Sequence, residues 1–143
     1  MPVRKGHAEW QGDLIKGKGS VGTESGTLNG VPYSFSSRFE SGQGTNPEEL
    51  LAAAHAACYS MALSVGLSSK GYKVNSIRTV DTVHIDKQGD GFAITTIEIN
   101  TEASVDGIDD ATFQGFAEET KVGCPVSKAL SGPKMFLRAK LKK

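Results

Sequence analysis

At 143 residues the chain has the length of one domain, enough to bury about two-thirds of the surface its unfolded form exposes. Its sixteen basic and sixteen acidic residues cancel, and no basic block is dense enough to follow a phosphate backbone, which argues against nucleic acid as a partner. Cys58 and Cys124 are too few for a disulfide scaffold, the opening MPVRKGHAEW lacks the apolar run of a signal peptide, and the longest apolar stretch is broken by His55, Tyr59, Ser60 and Ser64, so a soluble cytoplasmic protein that crosses no membrane is expected.

From Val3 to Phe39 polar and apolar residues alternate between closely spaced glycines, a pattern that predicts three antiparallel strands near residues 4–14, 18–27 and 31–39. Asn29-Gly30, between Leu28 and Val31, is the sharpest hairpin signal because both residues tolerate positive φ. Arg38 then falls at a strand end, just before the joint Ser41-Gly42-Gln43-Gly44-Thr45. The stretch from Thr45 to Gly71 predicts one long helix. Thr45 and Asn46 supply the cap, Pro47 suits the first turn, Glu48 and Glu49 oppose the positive end of the dipole, and Lys70-Gly71 stops the helix. From Pro47 to Lys70 such a helix is about 36 Å long, so most of its surface needs a cover. Leu51, Ala54, Cys58, Met61 and Val65 recur at helical spacing, which places Cys58 on an apolar face.

Two further strands are predicted near residues 73–86 and 91–104, joined by a Lys87-Gln88-Gly89-Asp90 loop. Ile77, Thr79, Asp81, Val83 and Ile85 share one side of the first, and Ile97, Ile99, Thr101 and Ala103 one side of the second. These mixed faces fit a half-buried antiparallel sheet. Asp109 or Asp110 caps a second helix ending at Gly123 and carrying Phe113, Phe116, Ala117 and Thr120 on one stripe. Cys124-Pro125 opens a short helix to about Leu130, and Met135 to Leu141 alternates as a last strand. The order βββ-α-ββ-α-α-β, with strands and helices in segregated runs, makes the fold class α+β and residues 1–143 one domain.

Taken alone, Cys58 reads first as a small core residue on an alanine-rich helix. Cys124 precedes Pro125 at a capping position, where helix-end amides favour thiolate, and is the more acidic thiol on these grounds. Cys58, desolvated in mid-helix, needs a cation to ionise. Arg38 is a candidate, though by itself it reads better as a solvated surface arginine, and Glu48 serves equally well as charge at a helix start. Glu48 and Cys58 lie about 15 Å apart along a straight helix. They share a site only if the helix is broken or a second chain contributes one of them. His55, three residues before Cys58, invites a metal site with the cysteines, but closely spaced ligand pairs are absent and no metal is expected.

Asn46-Pro47-Glu48-Glu49-Leu50-Leu51, the run Ala53-Ala54-His55-Ala56-Ala57-Cys58-Tyr59-Ser60-Met61-Ala62-Leu63, and Gly123-Cys124-Pro125-Val126-Ser127 resemble the signatures of the OsmC/Ohr proteins, the osmotically inducible protein C and organic hydroperoxide resistance group. The resemblance covers essentially the whole chain. The strands ending in Ser37-Arg38-Phe39-Glu40 favour the OsmC branch.

The resemblance implies a thiol peroxidase that reduces organic hydroperoxides, and hydrogen peroxide less efficiently, in defence against oxidative or osmotic stress. It implies no cofactor, only an external thiol or lipoyl-type dithiol reductant. By the same resemblance Cys58 is the peroxidatic cysteine, overriding the dipole argument, and Cys124 resolves it. Arg38 is the family's arginine and Glu48 its glutamate, with Glu49 adjacent. The family's fold implies an intertwined homodimer, with antiparallel sheets wrapped around long central helices and sites at the subunit interface. Phe35, Phe39, Met61 and Phe92 are candidate apolar walls. The rival reading is a stress protein that binds an apolar ligand or a metal, with non-catalytic cysteines.

Overall fold

The computed structural model describes residues 1–143, which form two compact units, Met1–Leu50 and Leu51–Lys143.

In the first unit, β1 (Gly6–Gln11), β2 (Lys18–Thr23) and β3 (Val31–Tyr33) form a three-stranded antiparallel sheet in that order. The second hairpin is wider than Asn29-Gly30 suggests. Val21 pairs with Val31, and the amide of Thr23 closes the loop on the Leu28 carbonyl. Gly30 has positive φ but Asn29 does not, so the two-residue turn that needs both is not made.

The third strand also stops short of the predicted residue 39, giving way to α1 (Phe35–Phe39). Ser34 and Ser37 explain the change, because each side chain accepts from the other's backbone amide in a capping box. Phe35 and Phe39, one turn apart, then pack ring to ring at 5.1 Å. Arg38 therefore sits in a helical turn rather than at a strand end. The Ser37 hydroxyl donates to the Thr45 carbonyl at 2.7 Å and the Asn46 side chain donates to the Ser37 carbonyl at 3.0 Å, which fastens α1 to the start of α2 (Pro47–Ser69).

Asn46 caps α2, its side chain accepting from the Glu49 amide at 2.8 Å. Gly71, at φ 88°, ends it, with the Tyr72 amide returned to the Leu67 carbonyl. The helix is one unbroken element.

The second unit packs this helix against a sheet. Its β4 (Lys73–Gln88) and β5 (Gly91–Asp106) form a long antiparallel hairpin turned at Gly89-Asp90, tighter than the expected four-residue loop. Strand β6 (Lys134–Leu141) lies parallel to β5, so this sheet is mixed rather than purely antiparallel. The crossover that parallel pairing requires is α3 (Asp110–Gly123), capped by Asp109, followed by α4 (Pro125–Ala129).

The core line of α2 is His55, Tyr59, Leu63 and Leu67, all buried, set against Ile97, Ile99, Ala103, Val105 and Phe113. This corrects the apolar stripe expected from spacing. Met61 and Val65 are 73% and 64% exposed. On a helix this rich in alanine both faces are apolar, so periodicity cannot choose between them; the inward line is the one whose two polar residues find buried partners. By length and composition α2 is also apolar enough to cross a membrane, with hydropathy 1.6, as alanine-rich core helices are.

Candidate active site

The four residues singled out from the sequence fall into two pairs, one in each unit. In the first unit the Arg38 guanidinium donates through Nη2 to Glu48 Oε1 at 2.8 Å and through Nε to both carboxylate oxygens at 3.1 and 3.3 Å. Glu49 is engaged elsewhere, accepting from the Thr45 hydroxyl at 2.7 Å. The Glu48 side chain is nearly buried, whereas that of Arg38 is 38% exposed. A planar fork held on one side by a carboxylate leaves its other donors free to point elsewhere. Arg38 also lies over the Phe39 ring, 5.2 Å from its centroid, within cation–π range.

Beside Arg38 is a cavity of about 270 Å³ lined by Trp10, Leu14, Tyr33, Phe35 and Phe39. Trp10 of β1 and Tyr33 of β3 pack as tilted rings 5.3 Å apart, both opposite Gly19 of β2. Of the apolar walls expected from sequence, Phe35 and Phe39 thus line a cavity. Met61 and Phe92 do not line it, and both are largely exposed.

In the second unit Cys58 and Cys124 are both free thiols, near enough that each bears on the other's titration. The fold achieves this by ending α3 and starting α4 on the same residue. Cys124 closes the first helix, its amide donating to Thr120, and caps the second, its sulfur accepting from the Ser127 amide at 3.3 Å. The environments of the two sulfurs differ. Burial pushes the Cys58 thiol up, and Cys124 adds to this against a lowering hydrogen bond from the Val126 backbone. Burial also pushes Cys124 up, but the hydroxyl and amide of Ser127, the neighbouring Cys58 and the charge of His55 bring it below its ordinary value.

Behind Cys124 lies a line of buried polar groups that sequence reasoning missed. Ser127 Oγ is 3.3 Å from Cys124 Sγ and 2.7 Å from His55 Nε2. On the far side of the ring, His55 Nδ1–H donates to Asp81 Oδ2 in a short hydrogen bond. The side chains of His55 and Asp81 are closed to solvent. Burial pulls the His55 imidazole down, but the hydrogen bond and charge of Asp81, together with Cys124, outweigh this and hold it above its ordinary value. Both ring nitrogens of His55 are occupied by these partners, and no group of three His, Cys, Asp or Glu side chains is arranged to hold a metal ion.

The signals for this line were present in the sequence. Asp81 alternates with Ile77, Val83 and Ile85 on the inward side of its strand, and a buried carboxylate demands a partner. Ser127 stands three residues after a capping position. His55, Tyr59, Leu63 and Leu67 recur at a spacing of four.

Two neighbouring free thiols on an α+β framework mark a candidate site for thiol chemistry. The comparisons agree with that chemistry. The OsmC-like protein family matches residues 40–137. Peroxiredoxin OsmC of Escherichia coli (strain K12) is 54% identical over 127 residues, 89% of each chain. The organic hydroperoxide resistance protein of Xanthomonas axonopodis pv. citri (strain 306) is 33% identical over 92 residues, 64% of this chain and 63% of that one. Among solved structures, an OsmC-like protein from Mycoplasma pneumoniae superposes with a TM-score of 0.75 over 99% of both chains at 14% identity, which shows the shared fold. The chain belongs to the OsmC-like family. It is a cysteine-based peroxidase.

Proposed function

We propose that residues 1–143 act as one domain that reduces organic hydroperoxides, and hydrogen peroxide less efficiently, in defence against oxidative or osmotic stress. Cys58 is the peroxidatic thiol and Cys124 the resolving one. The observation that carries this reading is that two free thiols, from the middle of α2 and the α3–α4 junction, lie near enough to bear on each other's titration. Cys58 thiolate attacks the terminal peroxide oxygen, the O–O bond breaks, and the alkoxide leaves and takes a proton to become the alcohol. The Cys58 sulfenic acid then condenses with Cys124, releasing water and forming a disulfide. An external thiol or lipoyl-type dithiol returns both sulfurs to thiols, with no bound cofactor.

Within its own unit the Cys58 thiol is pushed up, so the first step needs a cation. Arg38, oriented by Glu48 and beside an apolar cavity, supplies it and favours alkyl over small polar peroxides. Because α2 is unbroken, Glu48 and Cys58 stay about 15 Å apart on one helix. The reading therefore takes Arg38 and Glu48 from one chain and Cys58 from its partner in a cytoplasmic homodimer, whose second copy covers Met61 and Val65.

Cumene hydroperoxide tests it. Cys58→Ser is expected to abolish peroxide consumption, and Cys124→Ser to stall after one turnover. One equivalent of peroxide is expected to remove two hydrogens from the intact mass of the native chain. Full activity of Cys58→Ser, or of a monomer in light scattering, overturns the reading, and an unchanged mass favours a ligand-binding protein instead.

A further inference from the structure

The buried line behind Cys124 takes no part in the peroxide step. Asp81, His55 and Ser127 come from β4, α2 and α4, and the fold brings them to one sulfur through contacts between side chains far apart in sequence. We propose that Asp81, His55 and Ser127 form a relay that takes the proton from Cys124 and prepares it as the attacking thiolate. This rests on the reading of Cys124 as the resolving cysteine.

The geometry allows two states that differ in the place of one proton. In the first, Cys124 S–H donates to Ser127 Oγ, and Ser127 O–H donates to the bare Nε2 of neutral His55. In the second, both bonds are reversed, with the same number of protons and one of them moved from sulfur to the imidazole. His55 Nε2–H donates to Ser127 Oγ, and Ser127 O–H donates to the Cys124 thiolate, which also accepts from the Ser127 amide. Ser127 passes the proton on and ends neutral.

Asp81 determines which state is favoured. Its Oδ1 is buried without a hydrogen-bond partner, so the carboxylate depends on His55 for its stabilisation. An imidazolium serves it better than a neutral ring. The charged groups facing this line are few. Cys58 bears on Cys124, and Tyr59 lies near Asp81 and Glu118 with its own hydroxyl donated to the Ala117 carbonyl at 2.9 Å. The directions found for the two titrating groups, His55 raised and Cys124 lowered, agree with the second state.

In resolution the Cys124 thiolate attacks the sulfenic sulfur of Cys58, the S–S bond forms and the S–O bond breaks. The departing hydroxide takes up a proton as water. His55 holds the proton taken from Cys124 and releases it, so one water is the only net product. The two electrons have already gone to the hydroperoxide.

The test separates the relay from the peroxidase reading. In Cys58→Ser protein, which retains a single thiol, the ultraviolet absorbance of thiolate is titrated against pH with no peroxide present. Adding His55→Gln, or Ser127→Ala as the smaller change, is expected to move the Cys124 titration upward in protein whose fold circular dichroism verifies. An unmoved titration in folded Ser127→Ala protein overturns the relay. In chains that keep both cysteines, dimedone is used to trap the Cys58 sulfenic acid after one equivalent of cumene hydroperoxide. Disulfide formation in Ser127→Ala is expected to slow roughly 100-fold, the lower end of what positioned proton transfer contributes, and the trapped species to accumulate. An undiminished rate also overturns the relay. If no sulfenic acid forms even in the native chain, the peroxidase reading falls while the titration result stands.

Discussion

Arg38 and Asp81 are each held by one main partner, Glu48 and His55, but at opposite degrees of burial. The Arg38 side chain is 38% exposed, while Asp81 and His55 are closed to solvent and one oxygen of Asp81 has no partner at all. Screening by water makes an exposed pair worth little to stability, yet leaves its cation free to act on something that arrives. Burial does the reverse. A desolvated carboxylate cannot easily lose its one partner, so the pair is fixed in place and biases the protonation of whatever touches it. The same chemistry, a carboxylate on a nitrogen base, is thus suited by exposure to presenting a cation in one unit and by burial to biasing protonation in the other.

The comparison is broken most directly by removing one member of each pair. Asp81→Ala leaves His55 buried without its carboxylate and is expected to cost about 3–5 kcal/mol, a fall in Tm of roughly 10 °C for a chain this size. Arg38→Ala leaves the nearly buried Glu48 carboxylate without its cation and is expected to cost about 2 kcal/mol, still less than Asp81→Ala, while peroxide consumption drops roughly 100-fold, the range expected for losing a charge that acts mainly on the reacting group. Calorimetry and a peroxide assay on the two variants check this. Equal melting temperatures would mean that burial does not distinguish the pairs.

The part of this legible in the sequence was the part written in local signals. The cap at Asn46, the stop at Gly71, the Asp109 cap and the alternation of β4 and β5 are each set by neighbours along the chain, and the predicted elements follow them. Local competition was harder to see. Ser34 and Ser37 exchange side-chain hydrogen bonds with each other's backbone and so turn the end of a predicted strand into α1. The parallel pairing of β6 with β5 depends on where α3 and α4 deliver the chain, which no window of sequence contains. The inward face of α2 was illegible for a different reason. With alanine on all sides it is chosen by what His55 and Tyr59 meet, namely Asp81, Ser127 and Ala117 from elsewhere in the unit.

A smaller effect, on pH, sharpens the comparison by asking whether the buried pair titrates as a unit. Burial acts against the charge on His55, but Asp81 and Cys124 together more than compensate, and the folded imidazole stays above its ordinary 6.5. A base raised on folding stabilises fully below its unfolded value, and that stabilisation is lost as pH rises through the folded value. The lowered Cys124 thiol has the opposite sign. Its contribution is present above its ordinary 9.0 and is lost as pH falls through its folded value. Removing the thiol takes away its own titration and leaves Asp81 as the group that raises the imidazole. The Tm difference between Cys124→Ser and Cys124→Ser/His55→Gln proteins is expected to be widest below pH 6.5 and to narrow steadily above it. A difference independent of pH would show that His55 is held by shape alone.

The smallest expected effect concerns two adjacent glutamates. Glu48 and Glu49 both lie in the first turn of α2, where either charge favours the helix start by about 0.3–1 kcal/mol. Their side chains part company beyond that. Glu48 is nearly buried and takes all three of the Arg38 bonds, whereas Glu49 is exposed and accepts a single hydroxyl from Thr45. A glutamine at 49 can still accept that hydroxyl, so Glu49→Gln is expected to cost about 0.5 kcal/mol, no more than the lost charge at the helix start, and to leave peroxide consumption unchanged. Glu48→Gln keeps the shape but turns a carboxylate into an amide with one acceptor, so the guanidinium loses its fork and its charge partner. It is expected to cost about 1–2 kcal/mol and to reduce consumption roughly tenfold, a loss of about 1.4 kcal/mol in the barrier. Steady-state rates and melting temperatures for the two variants measure the contrast. Matching losses at both positions would mean that the charge at the helix start, and not the orientation of Arg38, is what Glu48 contributes.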